Sequence, residues 1–410
     1  MSVPLRSCCD LDAEAWVLTE KPGQRLLAEV TEVPEPRPAD ISRWRKLAPP
    51  HVVAAAVRLA ACRARAQVKF SRGDRMWLDP VGLEQATGEA VARHKAGRFA
   101  CPLVVDLCAG IGGDSVALAQ KAKVLAVDSD HGMCRRLAWN AAVYDVADRV
   151  RPCRSRAELF TIPPGAWIHI DPDRRAVGQG RARRLTGYTP GLESLRSFVR
   201  LAPGGAIKLS PSSDFAAHFR GPELEVELIS LRGECKEATV WFGAAATCRL
   251  RATRLPENVT WTDGDGGISA SLRVPVVPVS AFVYDPDPAL LRAGLLDSFA
   301  AAHGLNRIAA DIDYLTGDRL VNTPFLSPFE VQSVHRLDMK QLRRLVAEKE
   351  LGPVEIKMRG LDLAPETLRT QLRVRGSHPA TLILAGGVGP AKAILAQRPS
   401  ELTTPRNRPS

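Results

Sequence analysis

Hydrophobic and polar positions follow two alternating periods along residues 101–250. Short runs rich in Val, Ile and Leu predict strands at 103–108, 123–128, 149–153, 166–171 and 205–210. Apolar residues spaced three and four apart predict helices at 114–121, 131–146 and 191–200. Two further runs, 225–232 and 237–243, lie close enough for a hairpin across 233–236. This order predicts an α/β fold with a Rossmann-like, doubly wound parallel sheet that ends in an antiparallel pair.

The flanking segments follow other patterns. Residues 1–100 predict an N-terminal helical domain, including a helix from Pro80 to His94, ahead of the α/β domain at 101–254. Beyond it we expect a small ferredoxin-like α+β domain at 255–320, with a helix at 289–296, and a second small α+β domain at 321–395. The polar, proline-bearing end, 396–410, predicts a disordered tail.

A glycine-rich turn follows the first predicted strand. Asp106 ends the strand, Gly110 and Gly112 lie in the turn, and a helical pattern follows. Glycine tolerates positive φ and lets the backbone approach a ligand, while a helix start offers unpaired N–H groups. The dinucleotide fingerprint G-x-G-x-x-G requires a third glycine where Ser115 stands, which disfavours a nicotinamide cofactor. The turn therefore predicts a nucleotide-type cofactor of another class.

The fourth predicted strand ends in Asp171-Pro-Asp-Arg-Arg175, at the edge where a doubly wound sheet binds ligands. Asp-Pro at a strand end is also a common turn. Five arginines follow within eleven residues: Arg174, Arg175, Arg181, Arg183 and Arg184. A phosphate-binding loop and a solvated charged loop are the two interpretations of this run. Tyr188 is a candidate ring for stacking on a base, and a buried core position is its alternative.

The formal net charge of the 410-residue chain is +11, carried more by arginine than by lysine. Arginine makes paired hydrogen bonds to phosphate and stacks on bases, which favours a nucleic-acid substrate. The alternative is a composition set by a GC-rich genome. The nine cysteines form no C-x-x-C pair, so we expect reduced thiols and no metal site. Without a long apolar run or a leader pattern, we expect no membrane association and a cytoplasmic protein.

Five residues carry a first resemblance. The order Asp106-x-Cys108-x-Gly110-x-Gly112, with Asp128 ending the second strand, resembles motif I and the second-strand acid of class I S-adenosylmethionine-dependent methyltransferases. In that family the glycine turn passes under the methionine part of the cofactor, and the second-strand acid binds the ribose hydroxyls. The resemblance implies S-adenosylmethionine as the cofactor, bound by these five residues. Cys108 and Cys134 are expected to be small buried residues rather than nucleophiles.

The end of the fourth strand carries a second resemblance. Asp171 and Pro172 are similar to the start of the (Asp/Asn)-Pro-Pro-aromatic motif of methyltransferases that modify exocyclic amines. Asp173 and Arg174 depart from that motif, although a guanidinium plane can stack on a base in place of a ring. Asp171, Pro172 and Arg174 are therefore the candidate catalytic residues. The candidate substrate-binding residues are Arg175, Arg181, Arg183, Arg184 and Tyr188.

Over most of its length the chain resembles a bacterial family of class I methyltransferases with a C-terminal THUMP-like domain, here 321–395. The matching motifs are Leu83-Glu-Gln-Ala-Thr87, Asp106–Asp114, Asp171–Arg175, Tyr284-Asp-Pro-Asp-Pro288, Ile356-Lys-Met-Arg-Gly360 and Leu372–Gly376. The catalytic half of that family is similar to trimethylguanosine synthases, and THUMP domains bind structured RNA. The resemblance implies methylation of a guanine or adenine nitrogen in RNA. The alternatives are a methyltransferase of proteins or small molecules and a non-catalytic RNA-binding protein on the same scaffold.

Overall fold

A computed structural model describes residues 8–173, 184–269, 271–362 and 364–400, and the chain divides into two units. The first unit contains the residues up to Val226 together with Glu237–Thr247. The second contains Glu227–Lys236 and the residues from Cys248 onward. Among the described helices, none is both long and apolar enough to span a membrane.

The first unit begins with helices. They are α1 (Cys8–Thr19), α2 (Lys21–Thr31), α3 (Pro38–Trp44), α4 (Pro50–Ala66), α5 (Pro80–Gln85) and α6 (Glu89–Ala96). Proline lies in the first turn of α2 to α5, where its missing N–H costs no helical hydrogen bond. The single helix predicted from Pro80 to His94 is wrong at its centre. The chain leaves the helix at Ala86, and the N–H of Glu89 bonds instead to the carbonyl of Lys69 at 3.0 Å.

Strands and helices then alternate as predicted. They are β1 (Leu103–Leu107), α7 (Gly113–Ala119), β2 (Lys123–Asp128), α8 (His131–Val143), β3 (Val150–Arg154), β4 (Trp167–Ile170), α9 (Leu192–Leu201), β5 (Gly204–Leu209), α10 (Phe215–His218), β6 (Leu224–Leu231) and β7 (Glu234–Gly243). The helix predicted to run to residue 146 ends at Val143, because Asp145 has a positive φ of 60°.

The strand order confirms the predicted α/β fold. In the first unit it is β3-β2-β1-β4-β5-β7, with β1 parallel to β2 and β4, and β5 antiparallel to β7. The chain leaves β1 towards β2 and β3 on one side and reaches β4 and β5 on the other. The carboxyl ends of β1 and β4 are therefore the switch point at which such sheets bind ligands.

One apolar core joins the N-terminal helices to this sheet. Val17 of α1, Leu59 of α4 and Val104 of β1 belong to the same buried cluster. The buried Arg136 of α8 adds an ionic tie, with Glu14 of α1 at 2.7 Å and Asp79 at 2.7 Å. The N-terminal helices are thus packed as part of the first unit.

The second unit holds a seven-stranded sheet in the order β11-β12-β10-β13-β16-β15-β14. The elements of the second unit, of which β8 and β9 lie outside this sheet, are β8 (Leu250–Leu255), β9 (Val259–Thr262), β10 (Phe282–Pro286), α11 (Pro288–Ala293), α12 (Leu296–Ala302), β11 (Asn306–Ala309), β12 (Ile312–Gly317), β13 (Leu326–Arg336), α13 (Met339–Glu348), β14 (Leu351–Arg359), α14 (Pro365–Leu372), β15 (His378–Ala385) and β16 (Lys392–Gln397). This sheet takes strands from both sides of the predicted boundary at 320/321. That boundary and those at 100/101 and 254/255 stay predictions.

Two expectations for this part of the chain are wrong. The helix predicted at 289–296 ends at Ala293, because Gly294 takes a left-handed conformation with φ of 70°, and α12 then begins at Leu296. The predicted disordered tail cannot begin at Ala396, which is fully buried in β16 opposite Val331 and Thr381.

Two of the family motifs meet in this sheet. Asp285 of the Tyr284–Pro288 motif accepts hydrogen bonds from Lys357 at 2.7 Å and from Arg359 at 2.8 Å, both in the Ile356–Gly360 motif. Arg359 also lies over the ring of Tyr314. These motif residues therefore hold strands β10, β12 and β14 together.

Candidate cofactor and acceptor site

The turn after β1 has the backbone shape that its glycines suggest. Gly110 and Gly112 have φ of 56° and 92°. A Cβ at Gly112 would lie 3.0 Å from Leu137 Cγ, whereas a Cβ at Gly110 would meet no described atom within 4 Å. The Asn140 side chain of α8 fixes the turn by donating to the carbonyl of Ile111 at 2.9 Å. The turn is therefore open on the side of Gly110 and closed at Gly112 by Leu137.

Asp128 lies at the end of β2, where it faces this turn. One of its carboxylate oxygens accepts the N–H of Gly110 at 2.8 Å, and the other accepts the N–H of Asp130 at 2.8 Å. Burial raises the pKa of Asp128, and these two backbone hydrogen bonds oppose that rise. A carboxylate has about four acceptor positions, so two remain for the hydroxyls of a ribose.

Asp106, by contrast, is enclosed by protein. It is 1% exposed, its Oδ1 lies 2.7 Å from His169 Nδ1, and its Oδ2 accepts the hydroxyl of Ser115. Asp106 and His169 are direct partners in the pairing of β1 with β4, which explains their contact. Ser115, at the position where a dinucleotide site needs glycine, thus ties the start of α7 to β1.

A buried ionic cluster extends from this pair and consists of Lys95, Asp106, Asp114, His169 and Glu237. Lys95 is 1% exposed, and its ammonium lies 2.8 Å from Asp114, 2.9 Å from Glu237 and 3.2 Å from His169 Nε2. An ammonium only donates, so His169 accepts at Nε2 and donates from Nδ1 to Asp106. Burial would lower the pKa of Lys95, but Asp114 and Glu237 raise it. Burial would likewise raise the pKa of Asp114, but the Lys95 ammonium lowers it well below its ordinary value.

Asp171 follows β4 directly and lies beside the end of β1. Its N–H bonds to the carbonyl of Leu107 at 3.2 Å, one residue before the glycine turn begins. Lys208 of β5 contacts its Oδ2 at 2.5 Å and the carbonyl of Gln85 at 3.4 Å. Burial raises the pKa of Asp171, and the Lys208 ammonium opposes that rise. Lys208 therefore holds one carboxylate oxygen of Asp171, and no side-chain hydrogen bond reaches the other oxygen from the residues that the structure describes.

Asp173 and Thr189 pair through two backbone hydrogen bonds, of 2.8 and 2.9 Å. The Gln85 side chain also donates to Asp173 at 3.2 Å. The candidate residues Arg174, Arg175, Arg181 and Arg183 lie outside the described residues. Arg184 is exposed, whereas the Tyr188 ring is only 4% exposed. The position of Tyr188 is that of a core residue rather than of a ring offered to a base.

The two cysteines near the site are poor nucleophiles. Burial raises the pKa of Cys108 well above its ordinary value, and the carboxylates of Asp128 and Asp171 add to the effect. Burial also raises the pKa of Cys134 to about 11. Only a thiolate is a strong nucleophile, so the raised pKa values favour the protonated, weakly nucleophilic form of both thiols at neutral pH.

Five residues of the site were not predicted from the sequence: Lys95, His169, Glu237, Lys208 and Asn140. Each lies on a helix or strand at least 29 residues from a partner in the site. The one available signal was a charged residue inside an apolar strand, which describes Lys208 and His169. A charged residue that is fully buried almost always has a partner of opposite charge or a hydrogen-bond partner.

Comparison with known families supports the turn as a methyltransferase site. A model for RNA cap guanine-N2 methyltransferases matches residues 101–162, and a THUMP domain-like model matches 326–398. A domain of unknown function matches 10–66.

Individual relatives agree with the family models. An uncharacterized S-adenosylmethionine-dependent methyltransferase of Mycobacterium tuberculosis is 35% identical over 316 residues, which cover 76% of this chain and 85% of the relative. The crystal structure of a candidate methyltransferase from Porphyromonas gingivalis W83 matches with a TM-score of 0.71 and 18% identity, covering 95% of this chain and 98% of that one. The second match supports the fold.

Proposed function

The chain belongs to the S-adenosylmethionine-dependent methyltransferases, and from this premise we propose that it methylates a base nitrogen of guanine or adenine in RNA. The observation that carries the proposal is the position of Asp171 beside the end of β1, with one carboxylate oxygen held by Lys208. This position supports a role for Asp171 as the hydrogen-bond acceptor for an amine next to the turn after β1.

The residues that would hold the cofactor are Gly110, Gly112 and Asp128. The open side of Gly110 admits the ligand backbone closely, and the Asp128 oxygens accept its ribose hydroxyls. S-adenosylmethionine, when bound, supplies a methyl group already activated by its sulfonium. Asp106 would support the cofactor site indirectly, since it anchors the first turn of α7 through Ser115.

Asp171 would position the acceptor. A carboxylate accepts the N–H of an exocyclic amine, which turns the lone pair of that nitrogen towards the methyl group. The carboxylate can also receive the proton that the nitrogen releases when it is methylated. The neighbouring Pro172 is buried and fixes the backbone at this point. An activated methyl group needs no stronger base, so a catalytic dyad is not required.

Three observations favour RNA as the acceptor. The model that matches the cofactor region describes RNA cap guanine-N2 methyltransferases, the one at the C-terminus is THUMP-like, and the net charge is +11. The exposed Arg184 and the four arginines outside the described residues are proposed to contact phosphates. A cytoplasmic location belongs to the same proposal, because free cysteines are typical of reducing compartments.

The test is transfer of tritiated methyl from S-adenosylmethionine to total RNA from a strain that lacks the gene. We expect label that RNase removes and that DNase and protease leave, and nucleoside digestion then identifies the methylated atom. Asp171→Ala is the matched variant, expected to bind cofactor normally in calorimetry and to lose transfer. Label that only protease removes would overturn the RNA proposal, and full transfer by Asp171→Ala would overturn the acceptor site.

A further inference from the structure

Charge is distributed unevenly along the N-terminal helices. Residues 8–36 hold two Lys or Arg and seven Asp or Glu side chains, a net charge of −5, whereas residues 37–75 hold ten Lys or Arg and two Asp side chains, a net charge of +8. A compositional bias towards arginine would spread over both segments. The contrast between adjacent segments therefore indicates a localised role for the positive charge.

Helix α4 presents part of this charge along one face. Its exposed positions include His51, Ala54, Arg58, Ala61 and Arg65, spaced three and four residues apart along a single stripe. The opposite face carries Val52, Val53, Ala56, Leu59 and Cys62, all buried in the core of the first unit. The exposed stripe extends for about 20 Å at 1.5 Å per residue.

Neighbouring segments extend the positive charge beyond both ends of α4. Arg45 and Lys46, in the turn before α4, are exposed, and so is Arg75 in the segment that follows it. We name Arg45, Lys46, Arg58, Arg65 and Arg75 the basic face. Its half-buried neighbour Arg63 donates to the backbone carbonyls of Met76 and Arg75, and the nearby carboxylate of Asp74 offsets part of its charge.

The chemistry of this face selects a partner. Guanidinium groups bind phosphate oxygens with paired hydrogen bonds. The exposed stripe of the described helix α4 carries alanines between its cations and no Phe, Tyr or Trp, so it offers no platform for stacked bases. The apolar side of α4 is buried in the core, so the helix has no apolar face to insert into a membrane. A sugar-phosphate backbone fits these features best.

The face is also connected to the cofactor turn. Arg63 holds the backbone of Arg75 and Met76, and the next residue, Trp77, exchanges hydrogen bonds with Asn140 at 2.8 and 3.1 Å. The same Asn140 side chain bonds the carbonyl of Ile111 in the turn. An RNA held on the basic face would therefore contact the segment of Arg75 to Trp77, which is hydrogen-bonded to Asn140 beside the turn after β1.

We propose that the basic face binds the phosphodiester backbone of the RNA substrate, independently of base sequence. The N-terminal helices would then have a function in binding the substrate. This inference rests on the proposed function, because it takes RNA as the methyl acceptor. It predicts that affinity depends on phosphate contacts, each of which contributes about 0.9 to the slope of log affinity against log salt on a duplex.

The test measures fluorescence anisotropy of a short labelled RNA duplex with the full chain across a salt series. The variant Arg45→Gln/Lys46→Gln/Arg65→Gln is expected to weaken binding roughly tenfold or more at low salt and to lower the slope by about 2.7. The control Lys21→Gln/Lys121→Gln/Lys123→Gln removes the same charge from exposed positions elsewhere in the first unit and is expected to change both much less. Calorimetry of S-adenosylmethionine binding checks that both variants retain the cofactor site.

The outcomes separate this inference from the proposed function. If the wild type binds and methylates RNA but the two triple variants behave alike, the basic face is wrong and the proposed function stands. If the wild type binds no RNA, both fail, and binding to phosphatidylserine vesicles instead would make the face a membrane contact. Should the triple variant fail to fold, Arg45→Lys/Arg65→Lys keeps the charge and must retain the wild-type slope, while Arg65→Gln alone must lower it by about 0.9.

Discussion

Asp106 shows how far a residue's surroundings decide its role. Its place in the sequence motif predicts cofactor binding, yet His169 and Ser115 take both of its oxygens and leave it 1% exposed. We therefore expect Asp106 to act on the cofactor indirectly, through Ser115 in the first turn of α7. Direct binding by Asp106 stays a prediction, whereas Asp128 has the exposure and the remaining acceptor positions that direct binding needs.

Asp128→Ala should reduce cofactor affinity strongly while leaving the fold intact. It removes the carboxylate that is proposed to accept the ribose hydroxyls and that holds the N–H of Gly110, and a hydrogen bond to a charged group contributes about 1.5–3 kcal/mol. We expect the dissociation constant for S-adenosylmethionine to rise at least about tenfold in calorimetry. Asp130→Ala is the control. Asp130→Ala removes the N-cap of α8 but leaves the Asp128 carboxylate beside the turn. An equal loss of affinity in Asp130→Ala would contradict the role of Asp128.

Lys208→Met should move the acid limb of the turnover profile to higher pH. Asp171 must be ionised to accept an amine N–H, burial already raises its pKa, and Lys208 is the cation that opposes the rise. Lys95 also lowers the pKa of Asp171 and Asp114 raises it, and both residues remain in the variant. Loss of a contacting cation raises a carboxyl pKa by about 1–3 units, so turnover should fall at a correspondingly higher pH.

The Lys208 prediction has a readout that needs no RNA. Carbon-13 NMR of labelled aspartate carboxyls, with the Asp171 signal assigned through Asp171→Asn, should show the same upward shift in Lys208→Met. Lys208→Arg keeps the charge and should restore both the carboxyl titration and the turnover profile towards the wild type. An unshifted Asp171 signal in Lys208→Met would show that Lys208 does not control its ionisation.

The parts of the site that sequence predicts are those encoded locally. Gly110, Gly112 and Asp128 lie within nineteen residues of one another, and their spacing relative to β1 and β2 fixes their geometry. Lys95 and His169 are 74 residues apart, and Lys208 and Asp171 are 37 apart. Their contacts depend on which strands become neighbours, and local spacing carries no information about that.

At the scale of the element, two glycine-to-alanine variants should distinguish backbone strain in the turn from exclusion of the cofactor. Gly110→Ala places a left-handed alanine in open space, which costs about 1–2 kcal/mol and fills the open side of the turn. Gly165→Ala carries the same strain, with φ of 78° and open space around its Cβ, in the loop before β4. We expect similar melting temperatures for the two variants and loss of S-adenosylmethionine binding in Gly110→Ala alone. Normal binding by Gly110→Ala would mean that the cofactor does not pass over this glycine.

The elements themselves were predictable where periodicity was uninterrupted, and the errors have local causes. Gly294 ends a helix through its left-handed conformation, although the apolar pattern continues across it. The hairpin of β6 and β7 turns tightly through Arg232 and Gly233, with φ of 55° and 82°, instead of through the longer loop at 233–236. Paired positive φ values match the right-handed twist of the strands. A turn of this kind is hard to predict when its first residue is arginine, because Asn, Asp or Gly is the usual residue there.

At the scale of the whole molecule, long-range pairing is what sequence could not predict. The seven-stranded sheet of the second unit joins β10 to β13 in antiparallel register, and both strands continue the sheet on either side. The THUMP domain-like match at 326–398 covers β13 to β16 but not β10 to β12. The boundary predicted at 320/321 from local sequence pattern therefore lies between strands of one sheet.

The stability of the first unit should depend on the buried ionic cluster, which joins α6, α7, β1, β4 and β7. Lys95→Met leaves Asp114 and Glu237 buried without their shared cation, and breaking such a pair costs about 3–5 kcal/mol. We expect urea denaturation at neutral pH to show a loss of this size, and the exposed Lys121→Met to show almost none.

The pH dependence of that loss identifies its cause. In the wild type the folded pKa of Asp114 is lowered below its ordinary value of 3.8, so its contribution to stability is present above that pH and disappears as the pH falls further. Without Lys95, burial instead raises the pKa of Asp114, and protonation becomes a way to relieve the uncompensated charge. The destabilisation by Lys95→Met should therefore shrink as the pH falls towards the ordinary range of aspartate, and Asp114→Asn in the same background should recover part of it at neutral pH. A deficit that stays constant with pH would instead attribute the loss to packing around the lysine chain, because a cavity left by lost methylene groups does not titrate.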